Sequence, residues 1–404
     1  MAGPLSGFRV LDLSRILAGP WASQMLADLG AEVIKVERPG SGDDTRGWGP
    51  PYMPDEAGEA TTEAAYFHAA NRGKLSVCID MASNGGQDLI RALAAQSDVL
   101  LENFKVGGLQ KYGLDYESLG ALNPKLIYCS ITGFGQSGPY AERAGYDFMI
   151  QAMGGIMSVT GEAGAEPMKI GVALADVMTG LYAANAIQAA LIHRLKSGEG
   201  QYIDMALLDV QVATLANQAM NYLASGHNPQ RLGNAHPNIV PYQAFATADG
   251  FMILAVGNDS QFERFCELAG QPQLAGDNRF KQNSARVKNR DILVPRVAEI
   301  MKSKTTVDWL KELNQRGIPC GPINDIDQVF ADPQVRHRGM KQMLSHPLAG
   351  SVASVANPIR LSATPVEYDR APPMLGQHTD EVLASVLGYD GEAITRLRDS
   401  GVIG

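Results

Sequence analysis

The first 132 residues alternate short β-branched runs with helical ones, and this change of period confines the chain to very few folds. Residues 8–14 read as a strand, 21–29 as a helix closed by Gly30, and 31–37 as a second strand, which together make a βαβ unit. Further strands are predicted at 74–80, 98–102 and 125–132, with helical stretches such as 86–95 between them. Strands separated by helices pair in parallel and need cover on both faces. The expected fold is therefore α/β, a doubly wound, Rossmann-like parallel sheet.

One piece of that fold is missing. The turn after the first strand reads Arg15-Ile-Leu-Ala-Gly-Pro20 rather than G-x-G-x-x-G, so a dinucleotide pyrophosphate lacks the glycines that let it approach the backbone. No nicotinamide or flavin is expected. Downstream, residues 176–195 read as a helix almost free of charge, stopped by Lys196-Ser-Gly-Glu-Gly200 and buried on most sides. A strand at 202–206 and an alanine-rich helix to about residue 224 follow.

The character then changes. Ala248-Asp-Gly250 separates two strand-like runs, 242–247 and 251–256, as a hairpin does, and helices follow at 261–269, 290–301 and 306–316. The expected division is a large Rossmann-like domain over 1–200, a linker helix over 201–225, a smaller α+β domain over 226–325, and a return segment over 326–404 that completes the large domain. Within that last segment 352–361 is strand-like again, and helices beginning near Thr379 and Glu392 close it.

Composition serves to exclude. With 45% hydrophobic residues in 404 the chain can fill more than one core, and a net charge of −9 argues against a general nucleic-acid surface while leaving room for a local basic pocket. Asp12 and Arg15 interrupt the N-terminal apolar stretch, and no other run is long enough to span a bilayer, so neither a targeting segment nor a membrane partner is expected. Four scattered cysteines and seven histidines without metal-ligand spacing predict no disulfide framework, no metal site and a reducing, cytoplasmic setting.

Several segments, taken in order, resemble the class III CoA-transferases, the CaiB-BaiF-like family. They are Leu11-Asp-Leu-Ser-Arg-Ile-Leu-Ala-Gly-Pro20, Asp28-Leu-Gly-Ala-Glu-Val-Ile-Lys-Val-Glu37, Gly42-Asp-Asp-Thr-Arg46, Asn71-Arg-Gly-Lys74, Glu102-Asn-Phe104, Gly133-Phe-Gly-Gln-Ser-Gly-Pro139 and Leu375-Gly-Gln-His378. Within the family, Tyr222-Leu-Ala-Ser225, Gly233-Asn-Ala-His-Pro-Asn-Ile-Val-Pro-Tyr-Gln-Ala-Phe245 and Gly321-Pro-Ile-Asn324 look most like the succinyl-CoA:glutarate branch. The resemblance implies coenzyme A or acyl-CoA as the substrate, a carboxylic acid as acceptor, and an interlocked-ring homodimer.

Read without the family, Asp176 is either a helix-capping carboxylate or a nucleophile kept ionised in a dry pocket by the helix terminus. The resemblance implies the nucleophile. It likewise implies CoA contacts from Arg15, Leu17, Ala18, Arg38, Arg72, Lys74, Asn103, Phe104 and Lys111, charged ones for phosphates and apolar ones for adenine. A dicarboxylate would want a further donor for its distal end, for which Arg46, Arg72 and His236 are candidates. Leu17 stands where formyl-CoA:oxalate transferases carry glutamine, which disfavours formate and oxalate. Family members that racemise acyl-CoA carry a histidine where Tyr146 stands here. The isomerase alternative is therefore disfavoured, and Tyr146 is expected to shape the acyl pocket. Residues 257–261 are read either as a lid or as a plain loop.

Overall fold

The computed structural model of the chain describes residues 3–404. Its backbone divides into two compact units: one holds residues up to 156 together with 170–219 and 334–404, and the other holds 157–169 and 220–333.

The first unit is built on a sheet of β1 Arg9–Asp12, β2 Glu32–Glu37, β3 Lys74–Cys78, β4 Val99–Glu102, β5 Ile127–Thr132 and β6 Gln201–Ala206. The spatial order is β3-β2-β1-β4-β5-β6, and every neighbouring pair is parallel. That order reverses between β1 and β4, the switch point at which open parallel sheets leave a crevice outside their carboxyl ends. Alternate residues feed two cores. Val10, Val99 and Ile127 pack on one face, while Leu11, Leu100 and Tyr128 pack on the other with Val382 and Leu383 from near the C-terminus. Burial on both faces explains why these strands read as continuous apolar runs.

Three helices of this unit are α1 Ala18–Asp28, α2 Asp147–Met153 and α3 Leu174–Ser197. α1 lies along α3. Gly180 makes the approach possible, since a Cβ there would stand 2.7 Å from the Ala18 carbonyl oxygen and 3.0 Å from Trp21 Cβ. A glycine inside a helix ordinarily costs about 0.5–1 kcal/mol relative to alanine. Here the sign should reverse: Gly180→Ala is expected to destabilise by about 1–3 kcal/mol through overpacking, read as a lower urea midpoint.

The linker expected over 201–225 is corrected by this architecture. Residues 201–206 are β6, hydrogen-bonded along β5, and Leu207 after it enters the first core. α3 begins two residues before Asp176, at Leu174. The strand-like stretch near 352 is the second arm of a hairpin formed by Lys341–His346 and Gly350–Val355. In the second unit, β7 Tyr242–Ala246 and β8 Phe251–Ala255 form the expected antiparallel hairpin, extended by β9 Cys320–Pro322. Phe262, Phe265 and Trp309 lie in its core, with the Trp309 indole donating to the Met301 carbonyl at 2.7 Å. Among the described residues no helix is long and apolar enough to cross a membrane.

Candidate active site

Asp176 occupies the first turn of α3, but it does not cap that helix. The residue preceding α3, Ala173, offers no side-chain cap, and the free backbone donors are taken by Asp147 at the start of α2. Asp147 Oδ1 accepts from Ala175 N at 2.9 Å and from Asp176 N at 3.4 Å, and its other oxygen accepts from Gln151 Nε2 at 2.9 Å. This corrects the expectation that the helix terminus holds Asp176 ionised. With those donors spent elsewhere, burial and then the neighbouring Asp147 charge push the Asp176 carboxyl up to about 7. The result is a half-buried carboxylate that ionises near neutrality, an environment of the kind that suits a carboxylate nucleophile.

Tyr66, half-buried and packed edge-on against Trp48 at 5.0 Å, belongs to the same region. Its phenol is pushed up by burial and then by Asp176, Asp147 and Asp43. Asp43 in turn belongs to the wall of a cavity of about 390 Å³. That cavity lies at the carboxyl ends of four strands: Arg15 follows β1, Arg38 follows β2, Asp80 follows β3, and Phe104 follows β4, with Tyr112 beyond. Strand order alone would put a ligand there.

The expected CoA contacts separate into two groups. Arg15, Arg38 and Phe104 line the cavity, and Lys111 sits with its ammonium 4.6 Å from the centre of the Tyr112 ring. Arg38 is exposed and makes no ion pair among the described residues, whereas Arg15 pairs with Asp44 at 2.7 Å and lies 5.7 Å from the Phe104 ring centre. Asn103 clasps the Arg15 peptide from both sides, accepting from its N at 2.9 Å and donating to its O at 2.7 Å. Leu17 and Ala18 are buried at the start of α1.

Arg72 and Lys74 belong to the other group, because their side chains are committed to internal partners. Arg72 forms a two-pronged bond to Asp28, at 2.8 and 2.6 Å, and donates to Ser354 Oγ and the Val355 carbonyl. Lys74 is fully buried with Asp12, Asn71 Oδ1 and the Pro20 carbonyl around its ammonium, and burial pulls it down to about 8 despite Asp12. Neither lines the cavity.

The distal-carboxylate candidates thin out for the same reason. Arg46 is bound to Glu37 at 2.7 and 2.8 Å, donates to the Pro373 carbonyl, faces Glu63 at 3.7 Å and lies 3.7 Å from the Phe67 ring centre, so its charge is already paired internally. His236 is in the second unit, where Nδ1 accepts from Asn238 N at 3.0 Å; burial and then Arg290 lower its pKa, leaving a neutral ring with Nε2–H free to donate. Tyr146, just before α2, is 67% exposed. Of residues 257–261, Asn258 caps the helix Asp259–Leu268, which takes in the last three, and Gln261 Oε1 accepts from Gly257 N at 2.7 Å.

Sequence reasoning missed Asp147, Tyr66, Lys35 and Asp43. It also missed a buried group of Glu63, His68 and His346, whose potential ligand atoms lie within 4.8 Å of one another. His346 Nδ1 accepts from Leu348 N and Ala349 N, so in the neutral ring Nε2 carries the proton and has no lone pair for a cation.

A carboxylate of raised pKa, in a unit that also carries a strand-end cavity lined by Arg15 and Arg38, is compatible with acyl transfer from a phosphorylated thiol ester. A model of CoA-transferase family III matches residues 5–379. A relative from Agrobacterium fabrum, described as succinate-glutarate CoA-transferase, is 56% identical over 387 residues, covering 95% of this chain and 96% of its own. The human succinyl-CoA:glutarate CoA-transferase is 44% identical over 400 residues, covering 99% of this chain and 90% of its own. A solved structure, a CAIB/BAIF family protein from Brucella suis, superposes with a TM-score of 0.84 at 56% identity, covering 96% of this chain and all of the other. With a match of that length and identity, the chain belongs to CoA-transferase family III.

Proposed function

We propose that this CoA-transferase moves CoA from succinyl-CoA to glutarate through covalent intermediates on Asp176. The observation that carries the mechanism is the half-buried Asp176 carboxylate, held near neutral pKa beside Asp147. Its oxygen attacks the thioester carbonyl, forming a mixed succinyl-aspartyl anhydride and expelling CoA thiolate. The thiolate attacks the aspartyl carbonyl, releases succinate and leaves an aspartyl-CoA thioester. Glutarate then attacks that carbonyl, regenerating thiolate and a glutaryl anhydride, and thiolate attack on the glutaryl carbonyl frees Asp176 and glutaryl-CoA. Water must be kept out, because it would hydrolyse either intermediate.

In this reading the phosphates of CoA meet Arg38, Lys111 and Arg15, whose buried Nε lacks a partner, while adenine packs on Phe104 and Tyr112. Tyr146 shapes the acyl pocket. Two subunits thread through each other, a reading supported by exposed Phe148 on α2 and Ile192 and Leu195 on α3. Light scattering should then give twice the chain mass, and a monomer would remove that part.

The reaction is tested by incubating the protein with succinyl-CoA and a panel of acids and identifying new CoA esters by mass spectrometry. Glutaryl-CoA is expected to form in preference to oxalyl-CoA and acetyl-CoA; exchange only with monocarboxylates would overturn the assignment. The pH dependence tests the nucleophile. Because Asp147 raises the Asp176 pKa, Asp147→Asn should move the acidic limb of kcat/KM for succinyl-CoA to lower pH while its Oδ1 still caps α3. An unmoved limb would mean that a different group titrates.

A further inference from the structure

The turn after β1 lacks the glycines of nucleotide-binding sheets, yet the backbone still goes left-handed there. Ile16 has φ +72°, a conformation that L-residues with branched Cβ atoms rarely adopt. Such a residue persists only where its surroundings over-determine it, and those places tend to be functional. Its surroundings are specific. Ile16 N donates to both oxygens of Asp43 at 3.2 Å. Asp43 Oδ2 accepts from Lys35 Nζ at 2.9 Å, and the same ammonium donates to the Ser14 carbonyl at 2.9 Å, so one buried ion pair bridges the turn from Ser14 to Ile16. Thr45 donates twice to Asp43 Oδ1, and Asp43 N donates to Glu37 Oε2 at 2.9 Å. Neither the Lys35 nor the Asp43 side chain is exposed, although both stand in the cavity wall.

We propose that Lys35 and Asp43 are positioning residues for CoA transfer: the pair holds Ile16 left-handed and thereby sets Arg15 in the cavity wall and starts α1 at Leu17 and Ala18. The inference rests on the cavity being the CoA site. A buried pair could merely support the fold, but a fold-supporting pair needs no strained neighbour. Here both oxygens of the carboxylate converge on the backbone N–H of the left-handed residue itself. Ile16→Gly separates these roles, because glycine enters the left-handed region without help.

The experiment is a double-mutant cycle between Asp43→Asn and Ile16→Gly, read as kcat/KM for succinyl-CoA and, separately, as Tm. Asp43→Asn alone is expected to lower kcat/KM at least about ten-fold, chiefly through KM, and the same change in the I16G background should cost less than about three-fold. Lys35→Met combined with Asp43→Asn leaves no unpaired charge, and it repeats the cycle if the single variant folds poorly. Equal kinetic costs in both backgrounds, or a fall in Tm with kcat/KM unchanged, would overturn the positioning role. Failure of the functional reading is distinct: the unaltered protein would then neither bind CoA by calorimetry nor transfer it, before any substitution is made.

Discussion

Asp176→Asn should abolish CoA transfer, by at least about 10³-fold in kcat, and at the same time make the protein more stable at pH 8. The two effects have one cause. Burial and the Asp147 charge raise the Asp176 pKa from 3.8 to about 7, so the folded state holds this proton more tightly than the unfolded chain does. No penalty exists below about pH 4, where both states are protonated. It grows as pH rises through the folded pKa near 7 and is constant above it, on the order of 2 kcal/mol for a group with some solvent contact. Asparagine does not ionise and escapes that penalty. Urea unfolding should therefore place the variant above the parent at pH 8 and level with it near pH 4, while calorimetry shows CoA still bound. Residual turnover, or a variant no more stable at pH 8, would mean that other groups solvate the carboxylate and that its nucleophilicity has a different origin.

A carboxylate held at an energetic disadvantage explains what could and could not be read in the sequence. The sheet was legible, because each strand is buried on both faces and shows itself as an apolar run between helical stretches. The starts of helices were less so. α1 begins at Ala18 rather than near residue 21, since Gly19 and Pro20 look like breakers although proline is tolerated in a first turn. α3 begins at Leu174 because its cap comes from Asp147, 28 residues from Ala175 in sequence. Asp176 was singled out through its family motif, but its raised pKa comes from burial and from that distant partner, neither of which the motif shows. Asp147 itself stood in Gly145-Tyr-Asp147, a segment read only for a histidine it lacks.

The missing glycine fingerprint carries more than its absence suggests. It weighs against a nicotinamide or flavin, but it also implies a turn unlike that of nucleotide-binding sheets, and there the chain differs. It keeps a left-handed residue in the turn after β1 and supports it with buried charge. Lys35, Glu37 and Asp43 stand in the cavity wall, and their ion pairs, like that of Lys74 with Asp12, are almost wholly buried. Burial by itself would push the Asp43 carboxyl up, yet Lys35 and the Thr45 donors bring it down to about 2. Charge of this kind looks like ligand-binding charge in a sequence, because pairing depends on residues far along the chain.

Arg72 gives the sharpest form of that ambiguity and the second large expected effect. As part of Asn71-Arg-Gly-Lys74 it reads as a phosphate contact, but its guanidinium holds Asp28, 44 residues earlier, and the Val355 carbonyl, 283 residues later. Asn357 completes the group by donating to Asp28 Oδ2 at 2.9 Å. Arg72→Met strands the Asp28 carboxylate in a buried place and releases the hairpin that ends at Val355, which should cost about 3–5 kcal/mol. A ligand contact and a structural tie then predict different measurements. For the tie, the urea midpoint falls sharply and the molecules that remain folded keep their KM for succinyl-CoA; pairing Arg72→Met with Asp28→Leu recovers much of the stability, because no charge is left unpaired. For a phosphate contact, KM rises in proportion to the lost interaction, stability changes little, and the second substitution rescues nothing. The saturated bonding of the guanidinium favours the first outcome, and a raised KM at unchanged midpoint would return Arg72 to the CoA site.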